Sequence, residues 1–262
     1  MHDNNLIFLF HIPKTGGTSL RETLVDMFGL NEGFIHLGPY GDRVRHEHGL
    51  KPLEQYNARE LDRIRVVSGH YLSTAFEKFF PGRDIKRVIL LRDPATRVLS
   101  QYNHAMRNRS KLGEKPVEFL KWYEDMAVDG FDWPSLYGRK LALADKKFAI
   151  SSVGHNYMSK FILDAMGDQE YRALPVAELF SRTDEYLKTF WHVGCIERLP
   201  ASITMFEQLL DRKLDVGVRN KTGSFLFSKL ARHMKMNNRL QEYLVEKNSV
   251  DCRIYNSWCR QD

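Results

Sequence analysis

The run Lys14-Thr15-Gly16-Gly17-Thr18-Ser19 follows the apolar stretch Leu6-Ile7-Phe8-Leu9-Phe10 and opens a segment in which Leu20, Leu24, Met27 and Phe28 recur at helical spacing. Two glycines let a backbone come close to an anion. Amides at a helix start point toward that anion with the positive end of the helix dipole. Lys14 adds a full charge, and Thr15, Thr18 and Ser19 add hydroxyls. The chemistry this pattern suits is phosphate binding on a rigid element. A capping box of Ser19 with Glu22 would be simpler, but it needs neither the lysine nor three hydroxyls. A nucleotide-cleaving P-loop sets its lysine directly after the last glycine and follows it with Ser or Thr for magnesium. Here Lys14 precedes the glycines, so the run suits a phosphate-containing group donor held without an obligatory metal.

A second junction complements the first. Arg87 to Leu91 reads as a strand, and Arg92-Asp93-Pro94-Ala95-Thr96-Arg97-Val98-Leu99-Ser100 continues into a helix. Asp93 suits the N-cap, and Pro94 the first helical position, where no amide hydrogen bond is lost. Arg92 is then fixed at the strand end. With Ser100 it can clamp one phosphate, Arg97 being a structural residue or a third contact. Between Pro81 and Lys111 there are eight Lys or Arg against two Asp, an excess equal to the +6 of the whole chain. Two such junctions imply two anionic groups on one ligand.

The elements that must position these residues alternate. Strand-like Leu6–Phe10 leads into a helix over Thr18–Phe28, Ile64–Ser68 into a helix over Leu72–Phe79, and Arg87–Leu91 into a helix over Pro94–Met106. Trp191–Ile196 precedes a further helix, Pro200–Leu210. This order predicts an α/β fold with a mostly parallel central sheet flanked by helices, whose strand C-termini share one ligand-binding edge. The 262 residues, 43% hydrophobic and 27% charged, suit a single globular domain and exclude collagenous and disordered classes. Residues 112–166 read as a helical cap insertion, with Trp122, Tyr123, Phe131, Trp133 and Tyr137 facing an acceptor or packing a helical subdomain on the sheet. Asn31–Asn57 shows no period and reads as a surface loop near the site. No apolar run approaches the ~20 residues of a membrane span. Three cysteines are too few for a disulfide scaffold and favour a reducing compartment. The modest net charge, without a nucleic-acid motif, argues against polymer binding.

His11 through Ser19, together with Leu91-Arg92-Asp93-Pro94 through Arg97 and Ser100, resembles the two donor-binding motifs of the sulfotransferases, nearest the branch of heparan sulfate 2-O-sulfotransferase and its bacterial carbohydrate-modifying relatives. Weaker likeness extends to Val67-Ser68-Gly69-His70, Val193-Gly194 with Glu197, the Asn220–Ser224 loop, and Asn248 with Asp251 and Tyr255. The resemblance implies a P-loop-like three-layer fold and 3′-phosphoadenosine 5′-phosphosulfate as sulfuryl donor, with no metal required. The first motif would take the 5′-phosphosulfate and the second the 3′-phosphate, with Lys221 and Ser224 of the closing loop as further contacts. The reaction implied is in-line sulfuryl transfer to a hydroxyl of a carbohydrate or glycolipid, releasing adenosine 3′,5′-bisphosphate. Golgi members carry a membrane anchor not seen here, which favours a cytoplasmic, bacterial-type enzyme over a trimmed lumenal domain. A P-loop-like kinase and a non-catalytic nucleotide-binding module remain the competing classes.

Such a transfer needs a cation for the leaving oxygen and a base for the acceptor hydroxyl. Lys14 suits the first task. For the second, His70 ends the strand that terminates at Ser68-Gly69, on the ligand edge, and histidine titrates near neutrality. His11, His104 and, more remotely, Glu77 are the other candidates for the base. Arg107, Arg109 and Lys111 either attract an anionic acceptor or form a solvated helix end.

Overall fold

A computed structural model describes residues 4–30, 32–37, 53–70, 72–111, 113–127, 154–168, 170–171, 174–214 and 238–260. The strands are β1 (Asn5–Phe10), β2 (Phe34–Leu37), β3 (Val66–Gly69), β4 (Asp84–Leu91) and β5 (His192–Cys195). The helices are α1 (Gly17–Phe28), α2 (Ala58–Arg63), α3 (Pro94–Lys111), α4 (Phe119–Ala127), α5 (Tyr157–Ala165), α6 (Val176–Leu187), α7 (Leu199–Leu210), α8 (Asn238–Lys247) and α9 (Ser249–Cys259).

The unbroken apolar run of β1 has no solvated face, as expected of a strand covered on both sides in a parallel sheet. Leu6, Phe8 and Phe10 join Phe161 and Ile162 of α5, Leu179 and Leu187 of α6, and Val250 and Ile254 of α9. Ile7 and Leu9 point the opposite way, to Leu20 and Leu24 of α1 and Phe206 and Leu210 of α7. Full burial of each such side chain contributes about 1.5–3 kcal/mol. The result is a three-layer α/β, P-loop-like fold around five strands in the order β2-β3-β1-β4-β5, every pair parallel. The chain departs from β1 toward the β2 side and from β4 toward β5. The C-terminal ends of β1 and β4 therefore flank the point where the winding reverses, the place where such sheets bind ligands.

Several expectations are corrected. Within the supposed surface loop Asn31–Asn57, Phe34–Leu37 forms a buried edge strand registered on Val66–Gly69, too short for any period to betray it. Thr74–Phe79 forms a 3-10 turn in place of an α-helix. Of the supposed cap at 112–166, residues 112 and 128–153, with Phe131, Trp133 and Tyr137, lie outside the described residues. Its end, α5, belongs to the central core. Trp122 and Tyr123 are buried against Val98, Leu99 and Leu244, which is the packing alternative.

The cysteines also depart from expectation. Cys195, the last residue of β5, and Cys259, the last of α9, form a disulfide with Cα atoms 5.8 Å apart, because α9 lies over the end of the β5 edge strand. Cys252 is free, and burial pushes its thiol up to about 12, which leaves it unreactive. No helix among the described residues is long and apolar enough to cross a membrane.

Candidate active site

The turn after β1 is built around two left-handed residues, Lys14 at φ 72° and Gly16 at φ 81°. Gly16 is also the N-cap of α1, and a Cβ there would run into the Ile196 side chain that follows β5. The helix start has no side-chain cap and no acidic residue in its first turn. Its leading amides therefore keep the positive potential that attracts an anion. The alternative capping box of Ser19 and Glu22 does not form, since Ser19 is the third helical residue. Thr18 and Ser19 open the helix, and their side chains lie outside the described residues. The buried Thr15 hydroxyl donates to the Ile12 carbonyl at 3.0 Å and so helps to shape the turn.

The turn after β4 forms as its sequence predicts. Asp93 Oδ1 accepts the Thr96 amide at 2.9 Å, capping α3 ahead of Pro94. The guanidinium of Arg92 donates from Nε to Thr96 Oγ1 at 3.2 Å and from Nη1 to the Lys14 carbonyl at 2.9 Å. That second bond joins the two turns directly. Burial lowers Lys14 to about 8, with the charges of Arg107 and then Arg92 adding to the effect. Arg107 thus belongs to the site's field, although the sequence left it between an acceptor contact and a solvated helix end. The signal lay in the face of α3 that carries Ser100, Asn103 and Arg107, where Arg107 Nε donates to the Asn103 carbonyl at 3.3 Å.

Ser100 is partly buried on α3, one turn beyond Thr96. Arg97 turns elsewhere. It is completely buried, its guanidinium lies 4.5 Å from the centre of the Tyr157 ring, and the Asp251 carboxylate favours its charge against desolvation. Asp251 in turn accepts the Met158 and Ser159 amides and the Ser159 hydroxyl. Of the two roles considered for Arg97, the structural one is therefore realised, and α3 is locked to α5 and α9.

At the end of β3, Gly69 adopts φ 150°, and a Cβ there would collide with the Leu37 carbonyl. This turn sends His70 toward the first junction, where its Nδ1 lies 2.6 Å from the His11 carbonyl oxygen. A carbonyl only accepts, so Nδ1 carries the proton and Nε2 of the neutral ring is the basic nitrogen. The His11 and His70 rings lie 4.4 Å apart, with His36 6.5 Å from His70. Burial lowers the His70 pKa, and the charges of Arg21 and Lys14 add to this against the opposing bond to His11. His11 is held well below the ordinary range by burial first, then by His70, His36, Arg21 and Lys14. Both imidazoles are therefore neutral near pH 7. His11 is largely buried and its ring borders Gly17, which suits a part of the turn.

Among the remaining candidates, Glu77 is engaged with Arg87 through a two-pronged pair at 2.7 and 2.9 Å, which removes it as a base. His104 sits partly buried on α3, one turn past Ser100. Lys221 and Ser224 lie outside the described residues, as does the loop that contains them. Among the described residues no group of His, Cys, Asp and Glu is arranged to hold a metal ion.

Two linked turns, an uncapped helix start beside the Lys14 cation and a neutral imidazole next to them are thus brought together at one end of the sheet. No curated protein matches the chain. A model of the sulfotransferase family, which includes enzymes like heparan sulfate 2-O-sulfotransferase, matches residues 1–256 and so spans both turns, β3 with His70, and α9 as far as residue 256. With that match over nearly its whole length, the chain belongs to the sulfotransferase family and its activity is sulfuryl transfer.

Proposed function

We propose that the chain transfers a sulfuryl group from 3′-phosphoadenosine 5′-phosphosulfate to a hydroxyl of a carbohydrate or glycolipid. The observation that carries this reading is the Arg92–Lys14 hydrogen bond, which sets two cationic turns side by side at the reversal point of the sheet. The residues fit such a nucleotide: open amides and Lys14 for the phosphosulfate, Arg92 and Ser100 for the 3′-phosphate. The bound nucleotide supplies the sulfuryl group and a phosphate leaving group.

The chain's own part is positioning and proton transfer. His70 Nε2 takes the proton of the acceptor hydroxyl as the new oxygen–sulfur bond forms. Lys14 stabilises charge on the bridging oxygen as the old sulfur–oxygen bond breaks, leaving adenosine 3′,5′-bisphosphate and a sulfate ester. Catalysis of this kind rests on fixed geometry more than on covalent chemistry, as in phosphoryl transfer. The Cys195–Cys259 bond favours an oxidising compartment over the cytoplasm for the mature protein.

Incubation with the donor carrying radiolabelled sulfate and a panel of saccharides, glycolipids, small alcohols and tyrosyl peptides tests this. Label on a saccharide or glycolipid supports the proposal. Label only on a peptide or small alcohol, or on none, refutes the acceptor class.

A further inference from the structure

The loop that carries Arg92 leans on two residues outside the anion-binding turns. Glu197, two residues past Cys195, accepts the Asp93 amide on Oε1 at 3.2 Å. Asp93 is thereby held on three sides, since its Oδ1 accepts the Thr96 amide and its Oδ2 faces Arg260 Nη2 at 4.0 Å. Fixing the residue directly after Arg92 fixes the turn from which the guanidinium projects. Glu197 is also the foremost carboxylate favouring the Arg92 charge against its burial. The carboxylate also neighbours α9, where the buried Tyr255 phenol faces it. Cys259 follows Tyr255 by one helical turn, so its bond to Cys195 lies close in sequence to both ends of the Tyr255–Glu197 contact.

We infer that Glu197 and Tyr255 are positioning residues that orient Arg92 toward the 3′-phosphate of the nucleotide, an inference that rests on the reading of Arg92 given above. Neither residue needs to touch the ligand. Burial and the neighbouring Glu197 push the Tyr255 phenol up to about 12, so near neutrality it keeps its proton and is able to donate a hydrogen bond. Glu197 is solvent-exposed, which limits the size of the effect.

Calorimetric titration of the native protein, Tyr255→Phe and Glu197→Gln with adenosine 3′,5′-bisphosphate and with adenosine 5′-phosphate tests the inference. Loss of one such contact predicts a weakening on the order of fivefold for the bisphosphate. Affinity for the monophosphate, which lacks the group Arg92 serves, stays within twofold. In steady state the KM for the sulfuryl donor rises while kcat at saturation holds. A purely structural role would weaken both nucleotides together, and either that result or an unchanged bisphosphate affinity overturns the inference. A native protein that does not prefer the bisphosphate refutes the Arg92 assignment itself, and the inference falls with it. Glu197→Gln keeps the shape of the contact and serves if Tyr255→Phe melts early.

Discussion

Replacing Arg92 by alanine removes two described bonds and one charge. The Nη1 bond to the Lys14 carbonyl at 2.9 Å ties the turns together, and the Nε bond to Thr96 at 3.2 Å aims the guanidinium. A charged hydrogen bond to a phosphate contributes about 1.5–3 kcal/mol, and the released tether adds about 1 kcal/mol. The sum, about 3 kcal/mol, corresponds to a loss on the order of 150-fold in affinity for adenosine 3′,5′-bisphosphate. Arg92→Lys keeps the charge without the planar fork, so it should recover about tenfold of that loss. Titration calorimetry measures both variants, and a thermal melt checks that each remains folded. An Arg92→Ala protein that binds the bisphosphate within threefold of native would refute the clamp.

Three further outcomes follow from the same geometry. His70→Ala should leave nucleotide affinity within twofold and lower kcat by about 100-fold or more, the scale of general-base catalysis; retained turnover would place the base elsewhere. With the His70 pKa lowered and Lys14 at about 8, kcat/KM should rise with pH on a limb below the ordinary imidazole value of about 6.5 and fall near 8 as Lys14 loses its proton. Lys14→Arg should abolish the falling limb, and its persistence would assign that limb to another group. Breaking the Cys195–Cys259 bond, which spans a sequence separation of 64, should remove about 4 kcal/mol of stability on a chain-entropy estimate. Urea unfolding of Cys259→Ser against the native protein measures this, and equal midpoints would contradict it.

The parts of the site legible in the sequence are those whose chemistry is local. Gly16 and Gly17 after an apolar run, Lys14 beside them, and Asp93-Pro94 ahead of a helix each state their conformation within a few residues. What escaped depends on partners far along the chain. Arg97 shares a helix turn with Ser100 in sequence, yet Tyr157 and Asp251 draw it into the core. Glu77 reads as a solvated residue until Arg87 is brought beside it by the sheet. The tautomer of His70 is set by a carbonyl 59 residues away, and the pairing of Cys195 with Cys259 by the docking of α9 on the sheet. Phe34–Leu37 was missed for a different reason: four residues are too few to display a period.

The central strand finds none of its neighbours nearby. Phe8 pairs with Val67 on one side and Arg87 on the other, 59 and 79 positions further on. Each pairing must close a long stretch of chain before any contact compensates the lost entropy, which slows assembly. The two turns reach hydrogen-bonding distance only once the strands carrying them have docked. Competence to capture a nucleotide should therefore appear after helical content during refolding, so that ligand binding reports completion of the architecture and not merely collapse.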